Sequence, residues 1–221
     1  GFAEGAGRSR GARAAVKRLF NSPCWALLVA LSLLLAQTTR ANAFDLVQLS
    51  LQLHEPTVVR GTFTQEKYLR ALPQPLVSVG TFVLARDRGL LWFLQDPVQQ
   101  DYRISAAAIA RRTPNGWKQT SQQGPAARQN ELFLAVLQGD TEALQRDFEL
   151  QLTGTAQAWA LTLTPRSRLL AQIFSTILIQ GGATAERIEL REAQGDSTVL
   201  LLRDIQADDQ LSPSERHDLT D

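Results

Sequence analysis

From Thr57 onward the chain alternates apolar and polar residues with a period of two, in short runs cut by glycine and proline. Val59, Gly61, Phe63 and Gln65 fall on one side, and Val58, Arg60, Thr62 and Thr64 on the other. That is the pattern of a strand with one buried face. The same texture predicts strands at Leu76–Ala85, Leu90–Leu94, Asp101–Ser105, Ile109–Arg112 and Trp117–Ser121. Asp87-Arg88-Gly89 and Asn115-Gly116 are turn signals between them. After a break, strands resume at Phe148–Thr153, Trp159–Thr164, Phe174–Gln180, Arg187–Glu192 and Thr198–Ile205, with turns at Gly181-Gly182 and Gly195-Asp196. Short connections favour an antiparallel meander. About ten strands in one sheet must curl or split. A strongly curled, open barrel with helices across its mouth fits the order, and a two-sheet sandwich is the structural rival.

Helical period appears in only a few places. Asp45 followed by Gln48 forms a capping box ahead of Leu46, Leu49 and Leu53, so residues 46–54 read as an amphipathic helix stopped by Pro56. Leu132, Phe133, Val136 and Leu137 share one helical face within 126–138, with a further turn or two at Thr141–Arg146 and a short helix within Arg166–Ala171. The segment after Gln206 is polar and reads as a frayed tail.

The first 43 residues have a different character. Lys17 and Arg18 precede an apolar run from Cys24 to Ala36, interrupted by Ser32, and the segment closes on Ala41-Asn42-Ala43. A basic flank, a short apolar helix and a small-x-small site are the parts of a secretory signal peptide. The expectation is cleavage before Phe44, with residues 1–16 an upstream extension, residues 44–206 one domain and residues 207–221 a polar tail. Cys24, the single cysteine, lies inside the leader and away from the cleavage point, so neither a lipid anchor nor a disulfide is expected. Removing six of 23 basic residues and one of 22 acidic residues leaves 17 and 21, a net charge of −4. With no basic run longer than Arg111-Arg112, nucleic-acid binding is excluded.

No catalytic or metal constellation stands out. The two histidines, His54 and His217, have no ligand spacing, and no nucleophile elbow, phosphate loop or dinucleotide fingerprint occurs. A hydrolase would need a pair of facing carboxylates that sequence does not reveal. No cofactor is implied. What the chain offers is apolar bulk on its strands and helical insert: Phe63, Phe82, Leu84, Trp92, Trp117, Phe133, Leu137 and Trp159. Some of these pack an ordinary core, and the functional expectation is that the set lines a cavity between sheet and helices.

Val59-x-Gly61-x-Phe63-x-Gln65-x-Lys67, Ser78-x-Gly80-x-Phe82, Arg86-x-x-x-Leu90-Leu91-Trp92 and Asp96-Pro97 occur in that order. This series resembles the periplasmic lipoprotein carriers of the LolA type, most densely over residues 57–97 and in outline to about residue 205. The resemblance implies an incomplete, unclosed antiparallel β-barrel with a helical lid over an apolar concave face. It implies a monomeric, non-enzymatic periplasmic chaperone. Such a carrier takes an acylated lipoprotein from an inner-membrane ABC exporter and delivers it to an outer-membrane receptor. Arg86 falls where these carriers place an arginine that latches the lid to the sheet, although Asp87 stands where they have proline. The alternatives are a carrier of a non-protein acylated lipid, such as a glycolipid or polyene lipid, and a half-barrel sensor domain.

Overall fold

The computed structural model describes residues 44–86, 88–105, 108–120, 132 and 134–220, and its strands form one antiparallel sheet. In chain order they are β1 (Val58–Tyr68), β2 (Leu76–Ala85), β3 (Gly89–Asp96), β4 (Gln100–Ile104), β5 (Ile109–Thr113), β6 (Gly116–Gln119), β7 (Phe148–Thr155), β8 (Ala158–Pro165), β9 (Phe174–Gly181), β10 (Ala185–Glu192) and β11 (Ser197–Asp208). The spatial order is β6-β5-β4-β3-β2-β1-β11-β10-β9-β8-β7. Two meanders therefore meet at β1 and β11, and the edges β6 and β7 stay unpaired with each other. The sheet is an open barrel, and the sandwich is excluded. The connection from β6 to β7 joins the two meanders, and its described residues include helical segments at 134–138 and 141–147.

The strands form where alternation and turn chemistry predict. Among the described residues they are flanked by helices α1 (Leu46–His54), α2 (Thr141–Asp147), α3 (Arg168–Ala171) and α4 (Pro213–Leu219). Helix α1 starts as read from sequence. Asp45 Oδ1 accepts from Gln48 N at 2.9 Å, and Gln48 Oε1 accepts from Asp45 N at 3.3 Å. Its apolar stripe buries Leu49 and Leu53 against the sheet. Residues 134–138 are helical too, and Asp140 then caps α2 by accepting from Ala143 N at 2.8 Å.

The two Gly-x-Phe motifs interlock across β1 and β2. Gly61 lies opposite Phe82, and Phe63 lies opposite Gly80. Each ring covers the neighbouring strand's glycine. A Cβ on Gly80 would stand 2.0 Å from the Phe93 carbonyl oxygen and 2.7 Å from the Phe63 ring; one on Gly61 would stand 2.8 Å from the Phe82 ring. The space vacated lets Phe63 lie flat against Trp92, with ring centroids 3.7 Å apart.

Alternation sorts the sheet into two faces. The inner face carries the main core, including Phe63, Phe82, Leu84, Leu163, Ile188 and Leu200, under Leu49, Leu53, Leu134, Leu137, Leu144 and Leu170 of the helices. A second, smaller cluster of Val58, Val83 and Leu91 lies on the outer face, with Phe93, Trp117, Leu211 and Leu219 packed on it. The helix that closes this cluster corrects the expectation of a frayed tail. Strand β11 runs to Asp208, and α4 follows with its own capping box, Ser212 to Glu215, and proline at its first turn. Arg60 grips Glu215 through Nη2 to Oε2 at 2.6 Å and Nε to Oε1 at 2.8 Å, and reaches Asp208 at 3.1 Å. Arg112 joins Asp101 at 2.8 Å to Asp218 at 2.6 Å. These ion pairs fasten a polar segment to the sheet, which composition alone does not foretell.

Candidate functional site: the lidded inner face

Six of the eight apolar residues singled out from sequence meet in one place. Phe63, Phe82, Leu84, Leu137 and Trp159 are buried in the main core, and the half-buried Trp92 packs against them. Trp92 bridges the motifs: it stacks on Phe63 and lies 6.2 Å from the Phe82 ring. Trp159 occupies the far meander. Its Nε1 donates to the Gly182 carbonyl at 2.7 Å, and Gln52 of α1 donates to the same oxygen. One end of α1 is thereby fixed to the β9–β10 turn.

Trp117 does not join them. Ile104 and Ile109 pair on the inner face, and Arg112 pairs with Trp117 three residues further along β5. Odd spacing in a strand reverses the side. Trp117 consequently stands on the outer face, in the α4 cluster, between the Arg112 and Arg103 guanidinium groups at 4.4 and 5.3 Å from its ring. The expectation that it lines the cavity is corrected. Phe133 and Asp87 lie outside the described residues.

The lid fits closely. Leu53, Val59, Phe82, Leu84, Leu137 and Leu202 enclose a cavity of about 20 Å³ beside Arg86. A second space of about 190 Å³ opens between α2, α3 and the sheet, lined by Leu132, Leu144, Phe148, Leu170 and Phe174. Ligand pockets commonly measure about 300–1,000 Å³. Neither of these two spaces reaches that range.

Arg86, at the end of β2, bonds to both parts of the cover. Its Nε donates to the Pro56 carbonyl behind α1, and its Nη1 donates to the Gln138 carbonyl at 2.8 Å. Gln138 Nε2 donates back to the Arg86 carbonyl at 2.9 Å, and Arg86 N donates to Thr57 O at 3.2 Å. A planar fork of donors can serve two carbonyls at once, which an ammonium does less well. The acceptor roles of Gln138 and Pro56 are not legible in the sequence, because a backbone acceptor has no signature in side-chain identity.

The polar side chains buried among the described residues are Thr141 and Thr198, and Thr198 Oγ1 on the inner face has no hydrogen-bond partner. No group of three or more metal-ligating side chains occurs among the described residues. No helix there is long and apolar enough to cross a membrane.

The family model described as outer membrane lipoprotein carrier protein LolA-like matches residues 38–212. No curated protein sequence matches significantly. Among solved structures, a LolA superfamily protein from Nitrosomonas europaea is similar at 10% identity over 76% of this chain and 94% of that one, with a TM-score of 0.47. The Pseudomonas aeruginosa MucA/MucB complex gives 15% identity, 79% and 60% coverage and a TM-score of 0.46, so the chain spans under two thirds of that protein. Mycobacterium tuberculosis lipoprotein LppX gives 13% identity, 75% and 96% coverage and a TM-score of 0.41.

Proposed function

The chain belongs to the LolA-like family of outer membrane lipoprotein carrier proteins, and from that premise we propose that it is a carrier that shelters acyl chains in the barrel. Lipoproteins moving from the inner to the outer membrane are its cargo. It works in the periplasm, which the leader-like segment ending at Ala43 supports. An inner-membrane ABC exporter loads it and an outer-membrane receptor unloads it.

The observation that carries this reading is a continuous apolar inner face under helices tied to the sheet by Arg86. Each methylene removed from water gains about 0.8 kcal/mol, so a chain of about fifteen is worth on the order of 12 kcal/mol. Free diffusion of such a molecule is prohibitive, and a protein interior can replace the membrane during transit. The same numbers demand a shelter that does not hold too tightly. A closed lid helps, because apolar helix residues such as Leu53 and Leu137 already cover the face and must be displaced by the cargo. Net affinity is then the difference between two apolar contacts. Arg86 is the latch in this scheme, and Phe63, Phe82, Leu84, Trp92, Leu137 and Trp159 are the surface that the acyl chains touch. Direction comes from an acceptor that binds the cargo more favourably.

Native mass spectrometry of the full chain, expressed and recovered from the periplasmic fraction without detergent, tests the reading. An adduct that fragments to a diacylated or triacylated peptide supports it. A chain that stays free of adducts after acylated peptide and free lipid are both offered sinks it.

A further inference from the structure

One cross-strand row of the inner face runs from the centre of the barrel to its open edge. Phe82 on β2 pairs with Trp92 on β3, Trp92 with Tyr102 on β4, Tyr102 with Arg111 on β5, and Arg111 with Lys118 on β6. Residues directly opposite in neighbouring strands share a face, with Cβ atoms about 4.5–5.5 Å apart. The row therefore passes from aromatic side chains packed on the core to two cations at the rim.

Those cations are treated differently from the ones beside them. On the outer face, Arg112 is paired with Asp101 and Asp218, and Arg103 donates to the Asp218 and Thr220 carbonyls. Arg111 and Lys118 make no ion pair or side-chain hydrogen bond among the described residues, and both are exposed. Like charges directly opposite each other in a sheet are unfavourable. An inward lysine on an edge strand does deter edge-to-edge pairing. That explanation covers Lys118 but not Arg111, which lies one strand in from the edge.

We propose that Arg111 and Lys118 form a headgroup subsite for an anionic lipid whose acyl chain lies along Tyr102, Trp92 and Phe82. The inference rests on the reading of the inner face as an acyl shelter and adds a ligand class to it: a phosphate-bearing acyl lipid. The phosphate bridges the two cations and removes their repulsion. The aromatic row receives the tail. Arginine binds such a group through two N–H donors, and lysine adds a point charge.

The test compares two soluble lipids with one palmitoyl chain each, lysophosphatidylglycerol and lysophosphatidylcholine, below their micellar concentrations. Binding to the full chain is read by native mass spectrometry and by tryptophan fluorescence. The anionic lipid should bind about tenfold more tightly, as two solvent-exposed charge pairs together supply. The double variant R111Q/K118Q should bring the two lipids to near parity while the phosphatidylcholine form still binds, which also shows that the variant is folded. Equal affinities in the unaltered chain would overturn the subsite and leave the acyl shelter standing. So would a preference that survives in the double variant. Binding of glycerol 3-phosphate alone at comparable strength would overturn it too, since the chain would then play no part. If neither lipid binds, the acyl shelter fails and the subsite falls with it.

Discussion

Replacing Arg86 with leucine should loosen the lid without unfolding the barrel. The change removes at least two charge-assisted hydrogen bonds, to the Pro56 and Gln138 carbonyls, and keeps an apolar stem of similar reach. Such bonds contribute about 1.5–3 kcal/mol each. Arg86 is only half-buried, and water can reach the carbonyls once the side chain is gone, so the low end applies. The Gln138 side-chain bond to the Arg86 backbone survives the substitution. A loss of about 2–3 kcal/mol corresponds to an opening equilibrium raised about 30- to 150-fold. Hydrogen exchange measures this directly. The amides of Gly139 and Asp140, bonded to Val136 O and Ala135 O, should exchange faster in Arg86→Leu by that factor. Amides of β10 and β11 near Ile188 and Leu200 should not change. Uniform acceleration would mean that the arginine holds the whole fold, and unchanged exchange at 139 and 140 would mean that it latches nothing. Either result would refute the reasoning. In a reconstituted assay the variant should bind acylated peptide and fail in its transfer.

Gly80→Ala should destabilise the barrel by about 2–3 kcal/mol in urea unfolding, because the new methyl meets the Phe93 backbone carbonyl, which cannot turn aside. Trp92→Ala should weaken acyl-lipid binding at least several-fold in a fluorescence titration, whereas Trp117→Ala, on the outer face, should leave that affinity unchanged. Glu215 is held at about 2, below the usual 4.5, chiefly by the Arg60 guanidinium and then by the Ser212 amide. A depressed carboxylate stabilises the fold above about pH 4.5 and loses that contribution as pH falls toward 2. The shift sets a ceiling of about 3 kcal/mol, and partial exposure of Arg60 reduces this to about 1–2 kcal/mol. Melting temperatures of Glu215→Gln and the unaltered chain should converge between pH 4.5 and 2.5, and a gap constant with pH would contradict the assignment. Thr198→Val should raise stability by about 1 kcal/mol in chemical unfolding, since the buried hydroxyl has no partner to lose.

Much of this fold was legible because its signals are local. Helix α1 follows from the Asp45–Gln48 box and Pro56, and β2 from a run rich in β-branched and aromatic residues bounded by Pro75 and the turn after Ala85. The two Gly-x-Phe motifs were visible as words, but their meaning was not. Only the pairing of β1 with β2 shows that each phenylalanine fills the gap left by the other strand's glycine. The error over Trp117 has the same origin. Its face depends on the β4–β5–β6 register, which alternation within β6, a strand of four residues, cannot fix. Helix α4 was missed for a different reason. Its one large apolar residue is Leu219, so periodicity is silent, although Ser212-Pro213 with Glu215 was a start signal in plain view. What makes it stable lies in Arg60 and Arg112, more than a hundred residues earlier.

The position of β11 beside β1 also has a temporal consequence. Val58 pairs with Asp208, and Lys67 with Thr198, so the seam at the centre of the sheet joins the two ends of the domain. A ribosome or a translocon delivers β1 first and β11 last. Until then the first meander has neither its central neighbour nor the other half of its core, and its row of aromatic side chains faces water. Loop closure over such a span is entropically costly, and folds dominated by distant pairings form slowly. The interval before closure is when the chain most resembles the acylated molecules assigned to it: a long apolar surface in water, waiting for cover.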